Sequence, residues 1–174
     1  PIDSKIQTIE DGTYDASSLK SIKIPSEVTM HRNKIFFCRN LQKVEFSNDS
    51  KLQTIEEIAF SDTLIKGITI PLNVTRIGKN AFSYCKKIFR IEFADDSKLQ
   101  TIGEEAFYQT SIESIIIPSQ VEQIEKDAFG DCELLQIIEI KEDSKLEYID
   151  TNMFQKCEYL ILMIPVNLSD HFKL

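Results

Sequence analysis

Residues 65–85 have the sequence IKGITIPLNVTRIGKNAFSYC, and residues 112–132 repeat the same framework as IESIIIPSQVEQIEKDAFGDC. Both stretches contain the pattern apolar-x-x-apolar-x-apolar, then a proline, a valine, an isoleucine, an Ala-Phe pair and a cysteine. The second copy begins at residue 112 and the first at residue 65, a step of 47. The tetrapeptide Asp-Ser-Lys-Leu, which begins at Asp49, Asp96 and Asp143, keeps the same period. A fixed period of this length predicts a repeat protein, in which each unit buries its apolar face against its neighbours.

Each 47-residue unit consists of two similar halves, since the apolar pattern recurs in steps of 22 to 24 residues. One half turns through proline and the other through the longer Asp-Ser-Lys-Leu loop. The pattern starts at Leu19, Leu41, Ile65, Ile88, Ile112, Leu135 and Tyr159. We therefore expect a single array over residues 1–174, with about seven coils, each coil being one turn of a solenoid. Because residue 1 lies within a repeat, we expect this array to be part of a longer protein.

The alternation of apolar residues in each start pattern predicts a short strand with one buried face. Proline directly after Ile24, Ile70, Ile117 and Ile164 cannot donate a hydrogen bond, so it should end the strand. The stretch that follows, such as residues 76–82, is too short for a self-sufficient helix. We expect it to form a helical or 3₁₀ turn on the opposite side, with its Ile and Phe in the core. The predicted fold is an α/β repeat, a right-handed solenoid with a parallel sheet on one face and short helical turns on the other.

The framework apolar-x-x-Ile-x-Ile-Pro-x-x-Val-x-x-Ile-x-x-x-Ala-Phe-x-x-Cys resembles the BspA-like leucine-rich repeat, and the resemblance covers nearly the whole chain. Its residues are Ile68, Ile70, Pro71, Val74, Ile77, Ala81, Phe82 and Cys85, and again Ile115, Ile117, Pro118, Val121, Ile124, Ala128, Phe129 and Cys132. Members of that family are surface proteins of mucosal bacteria and parasitic protists, associated with adhesion. The resemblance implies an extracellular or cell-surface location and a protein ligand on a host cell, in the matrix or on another microbe.

Composition excludes several classes of function. The net charge of −8 argues against a nucleic acid or an anionic membrane as partner, because both require a basic patch. No apolar run approaches the roughly 18 residues that a membrane-spanning helix needs, so we expect no membrane insertion. The two histidines, His31 and His171, lie at opposite ends of the array, and no phosphate-loop, HExxH or CxxC motif occurs. We expect neither enzymatic activity nor a cofactor.

The four cysteines leave two interpretations open. Cys38, Cys85 and Cys132 recur in every second coil, about 10 Å apart, which is too far for a disulfide. We expect all four thiols to be small buried apolar groups. The alternative is a disulfide between Cys132 and Cys157, which fall in adjacent coils. A metal site is the least favoured interpretation.

Other recurring polar residues have mainly structural explanations. The Asp and Ser side chains of the acidic loops are expected to bond to their own turns, because a calcium site would need more oxygen ligands. Three asparagines match the glycosylation pattern Asn-x-Ser/Thr, which permits a secreted route: Asn48, Asn73 and Asn167.

The solvent-facing side of the strands is the candidate binding surface. Its first predicted column is Lys23, Glu45, Thr69, Glu92, Ile116, Glu139 and Met163. Its second is Ser21, Lys43, Gly67, Arg90, Ser114, Ile137 and Ile161. The N-terminal half of this face is charged, whereas Ile116, Ile137, Ile161 and Met163 are apolar where water is expected. The candidate partner-binding residues are these four together with Arg90, Glu92 and Glu139.

Three interpretations of the apolar positions remain open. They contact a protein ligand, they are covered by the C-terminal tail or a second copy of the chain, or the register is wrong and they belong to the core. Phe89, one position before Arg90, is expected to be partly buried. The leading hypothesis is a non-catalytic adhesin or receptor-binding segment. The alternative is a structural spacer or self-associating array, in which two copies form a homodimer through the exposed edge of the last strand.

Overall fold

Seven strands of three or four residues recur along the computed structural model, which describes residues 8–9, 19–28, 30–31, 38–147 and 149–166. We call them the long strands. They are β2 (Ser21–Ile24), β4 (Lys43–Phe46), β6 (Gly67–Ile70), β8 (Arg90–Phe93), β10 (Ser114–Ile117), β12 (Ile137–Ile140) and β13 (Ile161–Met163). Six two-residue strands alternate with them. These are β1 (Thr8–Ile9), β3 (Met30–His31), β5 (Thr54–Ile55), β7 (Arg76–Ile77), β9 (Thr101–Ile102) and β11 (Gln123–Ile124).

All observed strand pairs are parallel, so successive coils stack in register. The short strands form one six-stranded sheet, a second sheet that the sequence pattern does not predict. The long strands form three groups, β2–β4, β6–β8 and β10–β12–β13. These groups continue one another, since β4 lies against β6 and β8 lies against β10. The chain is therefore a parallel β-solenoid, as the repeat predicts.

Proline explains why the ladder of the long strands is interrupted. The amides that follow β4 and β8, at Ser47 and Ala94, donate to the carbonyls of Ile24 and Ile70 in the preceding coil, at 3.2 and 3.3 Å. After β6 and β10 this position is proline, which has no N–H to donate. Each of these two strands ends directly before its proline, as predicted. The β4–β6 and β8–β10 junctions therefore lack a ladder bond that the β2–β4 and β6–β8 junctions have.

Identical positions in successive coils form the columns of the core. Phe60, Phe82, Phe107 and Phe129 are fully buried, and their rings stack with centroid separations of 5.2, 5.4 and 5.5 Å. Ala59, Ala81, Ala106 and Ala128 form a buried column beside them. Stacking of this kind is where a solenoid gains its stability, because one coil alone leaves its apolar face in water. The prediction that these phenylalanines lie in the core is confirmed.

The prediction of helical turns opposite the long strands is wrong. Within the described residues there is one 3₁₀ turn, Thr151–Phe154, and no helix that is long and apolar enough to cross a bilayer. Elsewhere the turns carry residues of positive φ, most of them in pairs four residues apart, and this conformation stops a right-handed helix from propagating. These residues are Ile58, Asp62, Asn80, Tyr84, Glu105, Gln109, Asp127, Asp131 and Lys156.

Alternate amides of these turns bond to the next coil, and the amides between them bond within their own turn. Those of Ile58, Phe60 and Asp62 donate to the carbonyls of Lys79, Ala81 and Ser83, at 2.8 to 2.9 Å. The following coils repeat this arrangement down to Asp131, which donates to Gln155 at 2.9 Å. The turn side is therefore a third row of hydrogen bonds between coils. Because amides of this stretch are paired with carbonyls of the next coil, they do not require the hydrogen bonds of a helix.

Candidate functional site

The outward side of the long strands, which we call the strand face, has the register that the sequence predicts. Lys23 lies beside Glu45, and Thr69 lies beside Glu92. Farther along the same column, Ile116, Glu139 and Met163 lie side by side on β10, β12 and β13. The second column is also in register, since Gly67 lies beside Arg90, and Ile137 lies between Ser114 and Ile161. Both predicted columns therefore exist on the folded chain.

The C-terminal part of the strand face carries exposed apolar side chains. Ile116, Ile137, Ile161 and Met163, which we call the apolar patch, are between 37 and 62% exposed. Their inward neighbours Ile115 and Ile138 are buried. This alternation excludes the interpretation that the four belong to the core. Residues 167–174, the tail that was considered as a cover, lie outside the described residues.

Two further large apolar side chains are exposed shortly before β12 and β13. Leu134 and Tyr159, each two residues after a cysteine, are both exposed, Tyr159 by 74%. They lie two to three residues before Ile137 and Ile161. The sequence pattern predicts Tyr159 in the buried start position of the last coil, whereas in the structure Leu160 packs against the core there. Their shared spacing from the cysteine was the signal that could have identified them.

Phe89 is 55% exposed, so the prediction that it is partly buried is wrong. It occupies the position directly before a long strand. In five of the other coils this position holds an exposed polar residue, at Lys20, Gln42, Lys66, Glu113 and Gln136. Phe89 therefore adds an aromatic ring to the surface of the coil that precedes the apolar patch.

The N-terminal part of the strand face is charged and internally paired. Lys43 forms an ion pair with Glu45 on β4, and Arg90 forms one with Glu92 on β8. A hydrogen bond from Lys43 lowers the pKa of the Glu45 carboxyl, which keeps it ionised. Between these pairs, Thr69 of β6 donates to Glu92 at 3.3 Å. Glu139 is a half-buried acid between Ile116 and Met163. The candidates Arg90, Glu92 and Glu139 are therefore all on the strand face.

The cysteines lie inside the solenoid. Cys38, Cys85 and Cys132 are buried and Cys157 is half-buried, and none of the four, all within the described ranges, forms a disulfide. The thiols of Cys132 and Cys157 donate to the carbonyls of Phe107 and Phe129, at 3.1 and 3.3 Å. Burial raises the pKa of Cys132 to about 12. The Cys132 thiol is therefore a protonated core group at neutral pH, and the thiolate that a nucleophile or metal ligand requires is disfavoured there.

The chain's family follows from its repeats. A model of the BspA type leucine rich repeat region matches residues 1–89 and 53–171, with six copies. The chain belongs to the BspA-type leucine-rich repeat family. No curated protein matches this BspA-type chain.

Several solved structures share the fold of this BspA-type chain. A leucine rich cell surface protein from Faecalibacterium prausnitzii matches with a TM-score of 0.61 and 22% identity, covering 89% of this chain and 57% of that one. The pneumococcal vaccine antigen PcpA matches with a TM-score of 0.53 and 20% identity, covering 93% and 55%. A leucine-rich repeat protein from Eubacterium ventriosum gives 0.57 and 22%, covering 87% and 44%. The chain thus spans about half the length of these proteins.

The asparagines of the glycosylation pattern differ in their environments. Asn48 is exposed at the tip of its turn. The Asn73 amide donates to the Ser50 carbonyl at 3.0 Å and accepts from Lys98 at 2.9 Å, so in this BspA-type fold it links three coils. Asn167 lies outside the described residues. A glycan on Asn73 would be attached to the same Nδ2 atom that bonds to Ser50, so of the two described asparagines Asn48 is the more accessible acceptor.

The remaining polar candidates are accounted for by the coil itself. The serines of the three Asp-Ser-Lys-Leu loops accept hydrogen bonds from the leucine amides two residues later, from Leu52, Leu99 and Leu146. Within the described residues, no group of His, Cys, Asp and Glu side chains could hold a metal ion. His31 lies in β3 and His171 lies outside the described residues. The exposed side chains of the strand face are therefore the candidates to which the packing of the coils assigns no structural role.

Proposed function

We propose that this chain is a non-catalytic protein-binding segment of a cell-surface protein, and that the apolar patch contacts its partner. The observation that carries the proposal is the exposure of Ile116, Ile137, Ile161 and Met163 on adjacent, register-matched strands. Scattered exposed apolar residues are normal, but a contiguous group favours an interaction surface. The same columns carry Lys23, Glu45, Lys43 and Arg90 farther toward the N-terminus, so the framework does not require apolar residues there.

The proposed location and ligand rest on the family. One structural relative is a leucine rich cell surface protein and another a vaccine antigen. A vaccine antigen must be accessible to antibodies, and this supports a location outside the cell for the present chain as well. We propose a ligand on a host cell, in the matrix or on another microbe. The adjacent acid, Glu139, would select against partners that place a carboxylate opposite it.

The test uses single substitutions in the patch and a matched control. Ile116→Asp and Met163→Asp each place a charge at the centre of the proposed contact. Gln123→Asp adds the same charge to an exposed position of the short-strand sheet. Binding of the labelled chain to cultured host cells and immobilised matrix proteins is measured, with circular dichroism to verify folding. We expect the two patch variants to lose about tenfold or more in affinity and the control to bind as the wild type does. Equal binding by all three contradicts the proposal.

A specific observation favours self-association as a second candidate. β13 pairs only with β12 among the described strands, so its other edge presents main-chain groups that a strand of a second copy could bind. The last coil also leaves Phe154 and Leu162 only partly buried. Sedimentation velocity separates the two functions. A concentration-dependent dimer that Met163→Asp abolishes favours self-association, whereas a monomer that binds cells favours the adhesin.

A further inference from the structure

A depression lies on the strand face beside the apolar patch. It has a volume of about 860 Å³ and is lined by β4, β6 and β8 and by the turns that follow these strands. Its cause is a difference in side-chain size between coils. β6 presents Gly67 and Thr69 outward, where β4 presents Lys43 and Glu45, and β8 presents Arg90 and Glu92. We call this depression the charged notch, with Gly67 and Thr69 as its floor and the two ion pairs as its walls.

The dimensions of the charged notch follow from strand geometry. Neighbouring coils are about 4.8 Å apart, so the walls on β4 and β8 stand about 10 Å from each other across β6. That is room for one extended chain above the floor. Side chains two residues apart on a strand are separated by about 6.6 Å. The two cations, Lys43 and Arg90, therefore flank one end of the notch, and the two acids, Glu45 and Glu92, flank the other.

The electrostatics of the notch are those of a balanced dipole. Its charged lining residues are three cations and three anions, namely Lys23, Lys43, Arg90, Glu45, Asp49 and Glu92. A uniformly charged ligand would be attracted by one end of the notch and repelled by the other. The wall pairs are solvent-exposed, so each contributes little to folding and can exchange partners at small cost.

We propose that the charged notch binds an extended peptide segment that carries an acidic and a basic side chain two residues apart. In an extended chain, residues i and i+2 point to the same side and are about 6.6 Å apart, which matches the offset between the cationic and acidic walls. The acidic side chain lies between Lys43 and Arg90, and the basic one lies between Glu45 and Glu92. The cavity volume is within the range of ordinary ligand sites. This site is separate from the apolar patch, although Glu92 and Ile116 fall in neighbouring coils, so one protein partner could contact both.

The direct test compares two peptides of identical composition. In the first, Ac-Thr-Glu-Thr-Arg-Thr-amide, the charges lie on one face of the extended chain. In the second, Ac-Thr-Glu-Arg-Thr-Thr-amide, they are adjacent and point to opposite faces. Affinities for the full chain are measured by titration calorimetry at low ionic strength. We expect the first peptide to bind with a dissociation constant of about 1 mM or less and the second to bind about three- to tenfold more weakly. Equal affinities, or no binding by the first peptide, overturn the proposal.

Variants of the floor and walls test where the peptide binds. Gly67→Gln fills the notch, and the fold tolerates it because a Cβ there meets its nearest atom, the Arg90 carbonyl oxygen, only at 3.4 Å. Arg90→Gln removes one cationic wall, while Lys126→Gln on the turn side is the matched control. We expect the first two variants to abolish the preference between the peptides and the control to retain it. A preference that survives Gly67→Gln, with folding verified by circular dichroism, overturns the assignment to the notch.

Discussion

The thiol of Cys85 donates a hydrogen bond to the main-chain carbonyl of Phe60, 2.9 Å away in the preceding coil. The hydroxyl of Thr63 donates to the same oxygen, also at 2.9 Å. Two coils later, Cys132 and Thr110 share the Phe107 carbonyl in the same way. Cys85 and Cys132 are thus each one half of a pair, and Thr63 and Thr110 in the preceding coils are the other halves. This pair satisfies a carbonyl inside the core, where an unpaired acceptor would be costly.

The first prediction concerns stability at alkaline pH. Burial raises the pKa of Cys85 from 9.0 to about 11. Because the folded chain holds this proton more tightly than the unfolded chain does, stability is fully present below pH 9 and falls as the pH rises toward 11. The unfolding free energy of the wild type should therefore fall relative to that of Cys85→Ala by about 2 kcal/mol over this interval. Urea titrations of both proteins at pH 8, 9, 10 and 11 measure this difference in unfolding free energy.

Cys157→Ala is the control for this experiment, since Cys157 is only half-buried. Its unfolding free energy should follow the wild-type pH profile more closely. If the profiles of Cys85→Ala and the wild type are parallel from pH 8 to 11, the thiol is not held in its protonated form by the fold.

The second prediction compares two glycines in different environments. A Cβ on Gly103 would lie 2.8 Å from the carbonyl carbon of Gly78 in the preceding coil, whereas a Cβ on Gly67 has ordinary contacts. Gly103→Ala must push two coil backbones apart, so we expect a loss of about 1–3 kcal/mol in unfolding free energy. Gly67→Ala should be neutral or stabilising by about 0.4–1 kcal/mol, because alanine restricts the unfolded chain. Denaturant titration of both variants measures this, and equal effects would refute the close approach.

The long strands and their register could be predicted from the sequence because their signals are local and repeated. Ile68 and Ile70 alternate with exposed residues, and the proline after Ile70 marks the end of the strand. The framework recurs often enough to align each coil with the next. Placing Thr69 beside Glu92 then required only the repeat length. The outward columns, including Ile116 and Met163, follow from that alignment without knowledge of the backbone.

The turn side could not be predicted because its bonding partners lie in the next coil. Residues 76–82 have no local pattern that distinguishes a helical turn from a chain whose amides bond to a neighbour. The positive φ values of Asn80 and Tyr84 become visible only in the folded chain. The charged notch was missed for a related reason. It arises because Gly67 and Thr69 are both small relative to the residues of the neighbouring coils. These two residues belong to different columns, so neither column taken alone indicates a depression.

The third prediction concerns Ile58, a β-branched residue with φ of 60°. The corresponding positions in the following coils are Asn80, Glu105 and Asp127, and asparagine and aspartate tolerate this conformation better than isoleucine does. Ile58→Asn should therefore raise the unfolding free energy by up to about 1 kcal/mol. The mirror variant Asn80→Ile should lower it by a similar amount. Thermal and urea denaturation measure both, and a destabilising effect of Ile58→Asn would show that the side chain's packing outweighs the backbone strain.

The fourth prediction tests whether stability resides in the contacts between coils. Phe107 is fully buried between the rings of Phe82 and Phe129, whereas Phe154 at the last described coil is only partly buried. Phe107→Ala should cost about 3–5 kcal/mol, because it leaves a cavity that borders two junctions between coils. Phe154→Ala borders one junction with a described coil and should cost about half as much or less. Urea titration gives both values, while hydrogen exchange shows which coils lose protection. We expect Phe107→Ala to weaken the coils on both of its sides, and protection lost on one side only would contradict a stack held together by nearest-neighbour contacts.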